Sequence, residues 1–200
     1  MASPRRIGAP DAKNRIVLMD AAEQLMLDEG YAAVTSRSVA RKAGLKYQLV
    51  HYYFRTMDEL LLAVFQRRAE AGLQRQAEAL AGPNPLRALW EFNTEAAAVA
   101  LTMEFAALAN HRKTIRAAIA EYSTRFRDAE IAALRTLLRR YDIDTEAWPG
   151  PVVAVAMASM SRFLVLEESL GVTGGHAEAF DFVEKQILRF EGTPDNRPTA

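Results

Sequence analysis

The chain has 200 residues, half of them hydrophobic and a quarter charged, enough to bury a sizeable core as one domain or as one domain with an appendage. It has no cysteine, which excludes a disulfide framework, a zinc thiolate site and a cysteine nucleophile together, and suits a reducing cytoplasm. Its formal net charge is zero, yet residues 1–56 hold nine basic groups against five acidic ones, a net of +4 that the rest of the chain balances. A neutral chain with one basic end points to an anionic partner for that end, and nucleic acid is the commonest such partner.

The N-terminal "MASPRRIGAPDAKNR" has no apolar h-region, so no secretory signal is expected, and the polar, proline-bearing tails before Ala12 and after Gly192 are expected to be mobile. Leu18, Ala21, Ala22, Leu25 and Met26 follow helical spacing and predict a first helix stopped at Gly30. Thr35 is placed to cap a short second helix that buries Val39, Ala40 and Ala43 and ends at Gly44. A third short helix runs from about Lys46 to Tyr53. The capping box "TMDEL", Thr56 to Leu60, opens a long helix that the prolines of "LAGPNP" break.

Beyond the break, Leu86 to about Ala109 reads as one helix or two. Thr114 to Tyr141 reads as a long amphipathic one, with apolar residues at 115, 119, 122, 126, 129, 133, 137 and 141. "YDIDTEAWPGP" is a loop, and helices follow at about Val152–Leu170 and Ala177–Phe190, separated by "GVTGG". No strand pattern and no internal repeat occurs, so the fold class is all-α. The charge-free stretch Trp148–Ser161 is shorter than the roughly 18 residues a membrane span needs, so a buried helix and no membrane partner are expected.

The informative stretch is "VARKAGLKYQLVHYYF", residues 39–54. Ala40 permits a close helix crossing, Gly44 takes the turn, and Val50 packs back onto the preceding helix, which is the pattern of a helix-turn-helix. The alternative is an ordinary helical hairpin within a core. That alternative leaves Lys46, Tyr47, Gln48 and His51 as an unaccountably polar and aromatic outer face, whereas double-stranded DNA uses such a face.

"AAEQLMLDEGYAAVTSRSVARKAGL", "VHYYF" and "TMDEL", in this order and spacing, make residues 14–60 resemble the DNA-binding domain of the TetR family of transcriptional regulators. The resemblance covers about a quarter of the chain. It implies an N-terminal three-helix helix-turn-helix domain over residues 1–56 and a C-terminal helical domain for effector binding and dimerisation over residues 57–200. It implies also that the third helix enters the major groove, with Lys46, Tyr47 and Gln48 near base edges or phosphates, while Thr35, Arg37, His51 and Tyr52 touch the backbone. Tyr53 and Phe54 are then packing residues facing Val39 and Leu25. Two departures stand out: Lys46 occupies a position where the family often has a capping Ser or Thr, and Met57 one where it often has Lys. Tyr47 and Gln48 are bulkier than the family's common Lys-Gly pair.

"VVAVAMASMSRFLVL", Val152–Leu166, is apolar on every side and needs cover on every side. One side can meet the chain's own core and the other a second copy. The resemblance implies the same homodimer, a four-helix bundle of the last two long helices, with Val165, Leu166, Phe180, Val183, Ile187 and Phe190 as candidate contacts; the alternative is that these residues finish the core. The resemblance also implies a cavity for a small apolar or aromatic effector. Candidate lining residues are Trp90, Phe92, Met103, Phe105, Tyr122, Phe126, Met157, Met160 and Phe163, with Asn110, His111 and Arg162 as orienting polar groups. For Arg162 the alternative is an ion pair with Glu104 or Glu167.

Enzyme readings find little support. The three histidines show no metal spacing, and no glycine-rich phosphate loop or G-x-S-x-G occurs. "DIDTE" at Asp142–Glu146 fails as a calcium loop, since Ala147 stands where glycine is required and Val153 at its twelfth position. No metal, cofactor or catalytic residue is expected. The chain reads as a cytoplasmic, homodimeric repressor released from a palindromic operator by a small effector. The alternative is a helical small-molecule-binding protein or a hydrolase with a helical pocket.

Overall fold

The computed structural model describes residues 13–192, so the tails expected to be mobile lie outside the described residues. Within that range every regular element is helical. The elements are α1 (Lys13–Glu29), a 3-10 turn (Tyr31–Ala33), α2 (Ser36–Lys42), α3 (Tyr47–Tyr53), α4 (Met57–Ala81), α5 (Pro85–Asn93), α6 (Ala96–Ala109), α7 (Lys113–Arg140), α8 (Gly150–Ser169) and α9 (His176–Glu191). The fold class is therefore all-α with an N-terminal helix-turn-helix. The segment read as one helix or two is two: Thr94 closes α5, its backbone N–H and hydroxyl both donating to the Trp90 carbonyl at 3.0 and 2.9 Å.

The chain packs as two units. The first holds residues up to Ala71 together with Ala100–Tyr122, so packing draws it wider than a boundary at residue 56. Its core joins Leu18, Leu25 and Met26 of α1 to Val39, Val50 and Phe54, then to Leu60 and Val64 of α4 and to Phe105 and Ile115. Phe65 meets Phe105 and Tyr122 edge-on at 5.2 and 5.7 Å, and the Tyr122 hydroxyl donates to Glu70 at 2.6 Å. On the surface of this unit Arg67 bridges Asp20 and Glu23, and Arg112 pairs with Asp58. At the start of α4 the Thr56 hydroxyl accepts from Glu59 N–H at 3.1 Å. Glu59 reaches back to the Arg55 N–H at 2.9 Å, one residue earlier than a standard capping box.

The second unit holds Gly72–Val99 and the residues from Ser123 onward. Leu86, Trp90, Leu134, Leu137, Ala154, Leu164, Val183 and Ile187 form its core. Glu191 closes this unit: its carboxylate accepts from the free N–H groups of Leu86 and Arg87 at the start of α5, at 2.6 and 3.2 Å, and from the Tyr141 hydroxyl at 3.1 Å. Beside it Arg87 forks onto Glu184 at 2.9 and 2.7 Å, which raises the guanidinium pKa and holds the Glu184 carboxyl below its ordinary value.

α8 turns one face to the chain's own core and leaves another outside it: Ala154, Ala158, Ser161, Leu164 and Val165 face inward, while Val152, Val155 and Phe163 are 58%, 52% and 57% exposed. One expectation about the last helices is corrected. Val165, Val183 and Ile187, expected as contacts to a second copy, are 8%, 7% and 4% exposed within this same chain. They finish its core, and Phe180 and Phe190 pack against that core half-buried. Leu166 alone of that set is half-buried outside it. α8 runs to 20 residues, longer than the charge-free stretch suggested, and by length and composition alone it could cross a membrane. One of its faces is nevertheless committed to the core of this unit.

Candidate functional site

The helix-turn-helix is built from local signals. The Thr35 hydroxyl accepts from Ser38 N–H at 3.1 Å and the Ser38 hydroxyl oxygen accepts from Thr35 N–H at 2.9 Å, a reciprocal cap that fixes where α2 starts. α2 ends at Lys42, the turn after it passes through Gly44, whose φ of +66° suits glycine, and the Leu45 N–H closes the turn on the Ala40 carbonyl at 2.9 Å. α3 then begins at Tyr47 with Lys46 as its N-cap in extended conformation and without a side-chain cap, as the departure at Lys46 suggested.

Val50 and Phe54 are fully buried and Tyr53 packs against the same core, so one side of α3 is fixed. The opposite side presents Tyr47, Gln48, His51 and Tyr52, all exposed, as one contiguous face, because positions i, i+1, i+4 and i+5 share a helix side. Tyr47 is 52% and Tyr52 49% exposed, although each is a large ring that burial would normally claim. Tyr53 meets Tyr52 edge-on at 5.0 Å and so holds that ring outward. Lys46, Thr35 and Arg37 are exposed beside this face, and so is Arg41, which the sequence reading did not single out although it precedes the turn with a charge and no apolar neighbour to bury it.

The residues expected around an effector divide between the two units. Phe105 and Tyr122 are core residues of the first, Met103 is half-buried there, and Asn110 and His111 are exposed in the turn after α6. In the second unit Trp90 packs edge-on against Phe180 at 6.0 Å, Phe92 stacks on Phe126 at 6.2 Å, and Met157 and Met160 line the core. Phe163 points away from that core.

Arg162 pairs with neither carboxylate expected for it, since Glu104 is held by the Tyr31 backbone and Glu167 by His176 at 3.0 Å. Arg162 is exposed, yet desolvation of its guanidinium lowers its pKa, the Arg127 charge lowers it further and Glu130 acts the other way. The sequence reading missed Glu130, which is 3% exposed and whose pKa burial raises against the attraction of Arg127 and Arg162. Helical spacing could have found it: Glu130 stands four residues after Phe126 and four before the fully buried Leu134. Among the described residues no group of histidines and carboxylates could hold a metal ion.

Comparison with known proteins adds to this geometry. Residues 18–64 match the family model of bacterial regulatory proteins of the tetR family. A curated relative, the HTH-type transcriptional regulator BetI of Rhizobium meliloti (strain 1021), is 40% identical over 52 residues, which are 26% of this chain and 26% of that one, so the chain spans about a quarter of its length. Solved structures extend the likeness over most of the chain. A tetR-family transcriptional regulator from a Rhodococcus species has a TM-score of 0.72 at 15% identity, covering 90% of this chain and 100% of its own. A transcriptional regulator from Saccharomonospora viridis in complex with choline has a TM-score of 0.71 at 19% identity, covering 85% and 95%. At these identities the structures show a shared fold.

Proposed function

We propose that the chain, whose residues 18–64 match the family model of bacterial regulatory proteins of the tetR family, is a cytoplasmic homodimeric repressor that a small effector releases from a palindromic operator. The observation that carries this reading is the outer face of α3, where Tyr47, Gln48, His51 and Tyr52 stand exposed beside Lys46, Thr35 and Arg37. A helix that presents amide, imidazole and phenol groups between cations suits a major groove, where phosphate contacts set register and a few side chains read base edges. Gln48 reads a base; Arg37 and Thr35 hold phosphates.

The second copy packs on the outward face of α8. Val152, Val155, Ala156, Ser159 and Phe163 recur there at helical spacing with the exposed Arg162 at the edge of the stripe, and Phe182 of α9 is 55% exposed. Such a stripe on two long helices is the half of a four-helix bundle that one chain supplies, and it replaces Val183 and Ile187 as the interface.

The effector site lies in the C-terminal helices, a reading supported by the choline complex of the Saccharomonospora viridis protein of the same fold. An effector that binds better to the conformer whose two recognition helices no longer match successive major grooves lowers operator affinity by its differential affinity for the two states. α4 is the element to carry that change, since its residues 57–71 belong to the first unit and 72–81 to the second.

Selection of bound duplexes from a random pool tests the reading. A palindromic consensus, with half-site centres about one helical turn (~34 Å) or a small multiple apart, is expected. Failure to enrich any sequence would favour a small-molecule-binding protein without a DNA function.

A further inference from the structure

Of the three histidines in the chain, His51 is the one on the outer face of α3. It is exposed and makes no hydrogen bond or ion pair among the described residues, whereas His176 is buried with a ring nitrogen 3.0 Å from Glu167. The acids on the elements around α3 are largely taken. On α1, Asp20 and Glu23 hold Arg67 and Asp28 holds Lys42 of α2 at 2.6 Å, while Arg15 lies over the Phe54 ring and Lys13 and Glu29 are exposed. At the start of α4, Asp58 pairs with Arg112 and Glu59 accepts from the Arg55 N–H. Among the described residues Arg37 and Arg41 of α2, Lys46 at the start of α3 and the Arg55 guanidinium make no ion pair.

No carboxylate of the described residues therefore stands in ion-pair reach of His51 to hold a second ring proton. A DNA phosphate supplies that partner, since an imidazolium donates from both ring nitrogens and a charge-assisted bond to phosphate is a strong one. Position along α3 favours a phosphate over a base for this residue. Gln48 lies in the first turn, the part of a recognition helix that reaches base edges, and His51 stands three residues further along the same side, about 4.5 Å of rise. Of the group types on this face, which are phenol, amide, guanidinium, ammonium and imidazole, imidazole is the one that ordinarily changes charge between about pH 5 and 8.

We propose that His51 couples DNA binding to proton uptake: in the complex its ring carries a second proton taken from solvent and donates to a phosphate, so the regulator holds DNA more tightly as pH falls. The inference rests on the reading of the outer face of α3 as the DNA-facing surface and adds a regulation to it. The sign follows from linkage, because a complex that carries more protons than its free parts tightens on acidification and loosens as pH rises. The limit is about tenfold in affinity per pH unit for each proton taken up, with one His51 in each half-site.

The test titrates the full chain with a mixed-sequence duplex, and with the duplex enriched from the random pool, at about pH 6 and about pH 8 and at several salt concentrations. Calorimetry in two buffers of different ionisation enthalpy counts the protons taken up. Binding should be tighter at about pH 6 and accompanied by proton uptake. The salt slope there should be steeper by roughly one unit per half-site, as one more phosphate is neutralised. His51→Gln should abolish the pH dependence of affinity and of salt slope together. His51→Lys, a cation throughout this range, should keep the steeper slope at both pH values. Far-ultraviolet circular dichroism and melting temperature without DNA verify that each variant is folded. An affinity that is flat or rises with pH, a proton count of zero, or a pH dependence that persists in folded His51→Gln overturns the proposal, and the first two are read on the unaltered chain. A chain that binds no duplex at any pH contradicts the regulator reading and this proposal with it, whereas binding without pH dependence contradicts the proton coupling alone.

Discussion

Glu104 Oε2 accepts a 2.6 Å hydrogen bond from the Tyr31 backbone N–H, tying α6 to the turn that leads into the helix-turn-helix. Gly30, just before it, has a φ of +80°, a backbone conformation that favours glycine. Glu104→Ala leaves the Tyr31 N–H without its partner and is expected to lower stability by about 1–2 kcal/mol, while Glu104→Gln, which keeps an acceptor, should recover most of the loss. Urea unfolding of the three proteins decides it; an alanine variant as stable as the unaltered chain would mean that the bond does not hold the turn.

The proposed dimer makes a paired prediction. Val155→Glu with Phe163→Glu places charges on the exposed face of α8 and should give folded monomers by light scattering, with helicity unchanged and operator affinity strongly reduced. Val183→Glu with Ile187→Glu buries two charges in the core of one chain, each costing several kcal/mol, and should unfold the second unit instead of merely separating copies. Dimers of unaltered size from the α8 variant would place the interface elsewhere.

Glu130 predicts a pH dependence. Its pKa is raised by burial, against the opposing attraction of Arg127 and Arg162. A carboxyl whose folded pKa is raised contributes stability that is fully present below its unfolded pKa and is lost as pH rises through the folded value. Glu130→Gln removes that titration. The melting temperature of the variant should therefore exceed that of the unaltered chain at neutral pH, with no ligand present, and the difference should shrink towards zero below the ordinary carboxylate range. A difference that grows on acidification would reverse the sign and show that Glu130 is stabilised as an anion.

The helix-turn-helix was legible in the sequence because each of its signals is local. Thr35 caps the residue three positions on, Gly44 alone sets the turn, and Val39, Val50 and Phe54 mark one buried side. The last helices were less legible. α8 is apolar all round, so its composition shows that two faces need cover but not which face the chain covers itself; tertiary packing chose Ala154, Ala158 and Ser161 for the core and left Val152, Val155 and Phe163 outside. In α7 an apolar pattern through 126, 129 and 133 passes over Glu130, because a charged residue is not expected inward. The exposed Ala129 and buried Glu130 show that the register is set by Tyr122, Leu134 and Leu137. Long-range partners such as Glu104 for Tyr31 and Glu191 for α5 leave no mark at all at fixed spacing.

The roles proposed for the exposed residues of the helix-turn-helix differ in a measurable way. Arg37→Ala removes a phosphate contact and should weaken specific and nonspecific duplexes alike, lowering the salt slope by roughly one unit per half-site as one fewer counterion is released. Gln48 can both donate to and accept from an adenine edge, a pairing worth about 1–3 kcal/mol of discrimination.

Titration of Gln48→Ala against matched and singly mismatched operators, at several salt concentrations, is the most direct test that the outer face of α3 reads DNA. The expected result is loss of preference at one base pair in each half-site, with nonspecific affinity and salt slope nearly unchanged. An equal loss on every sequence would put Gln48 on the phosphate backbone, and no loss on any would remove α3 from the groove.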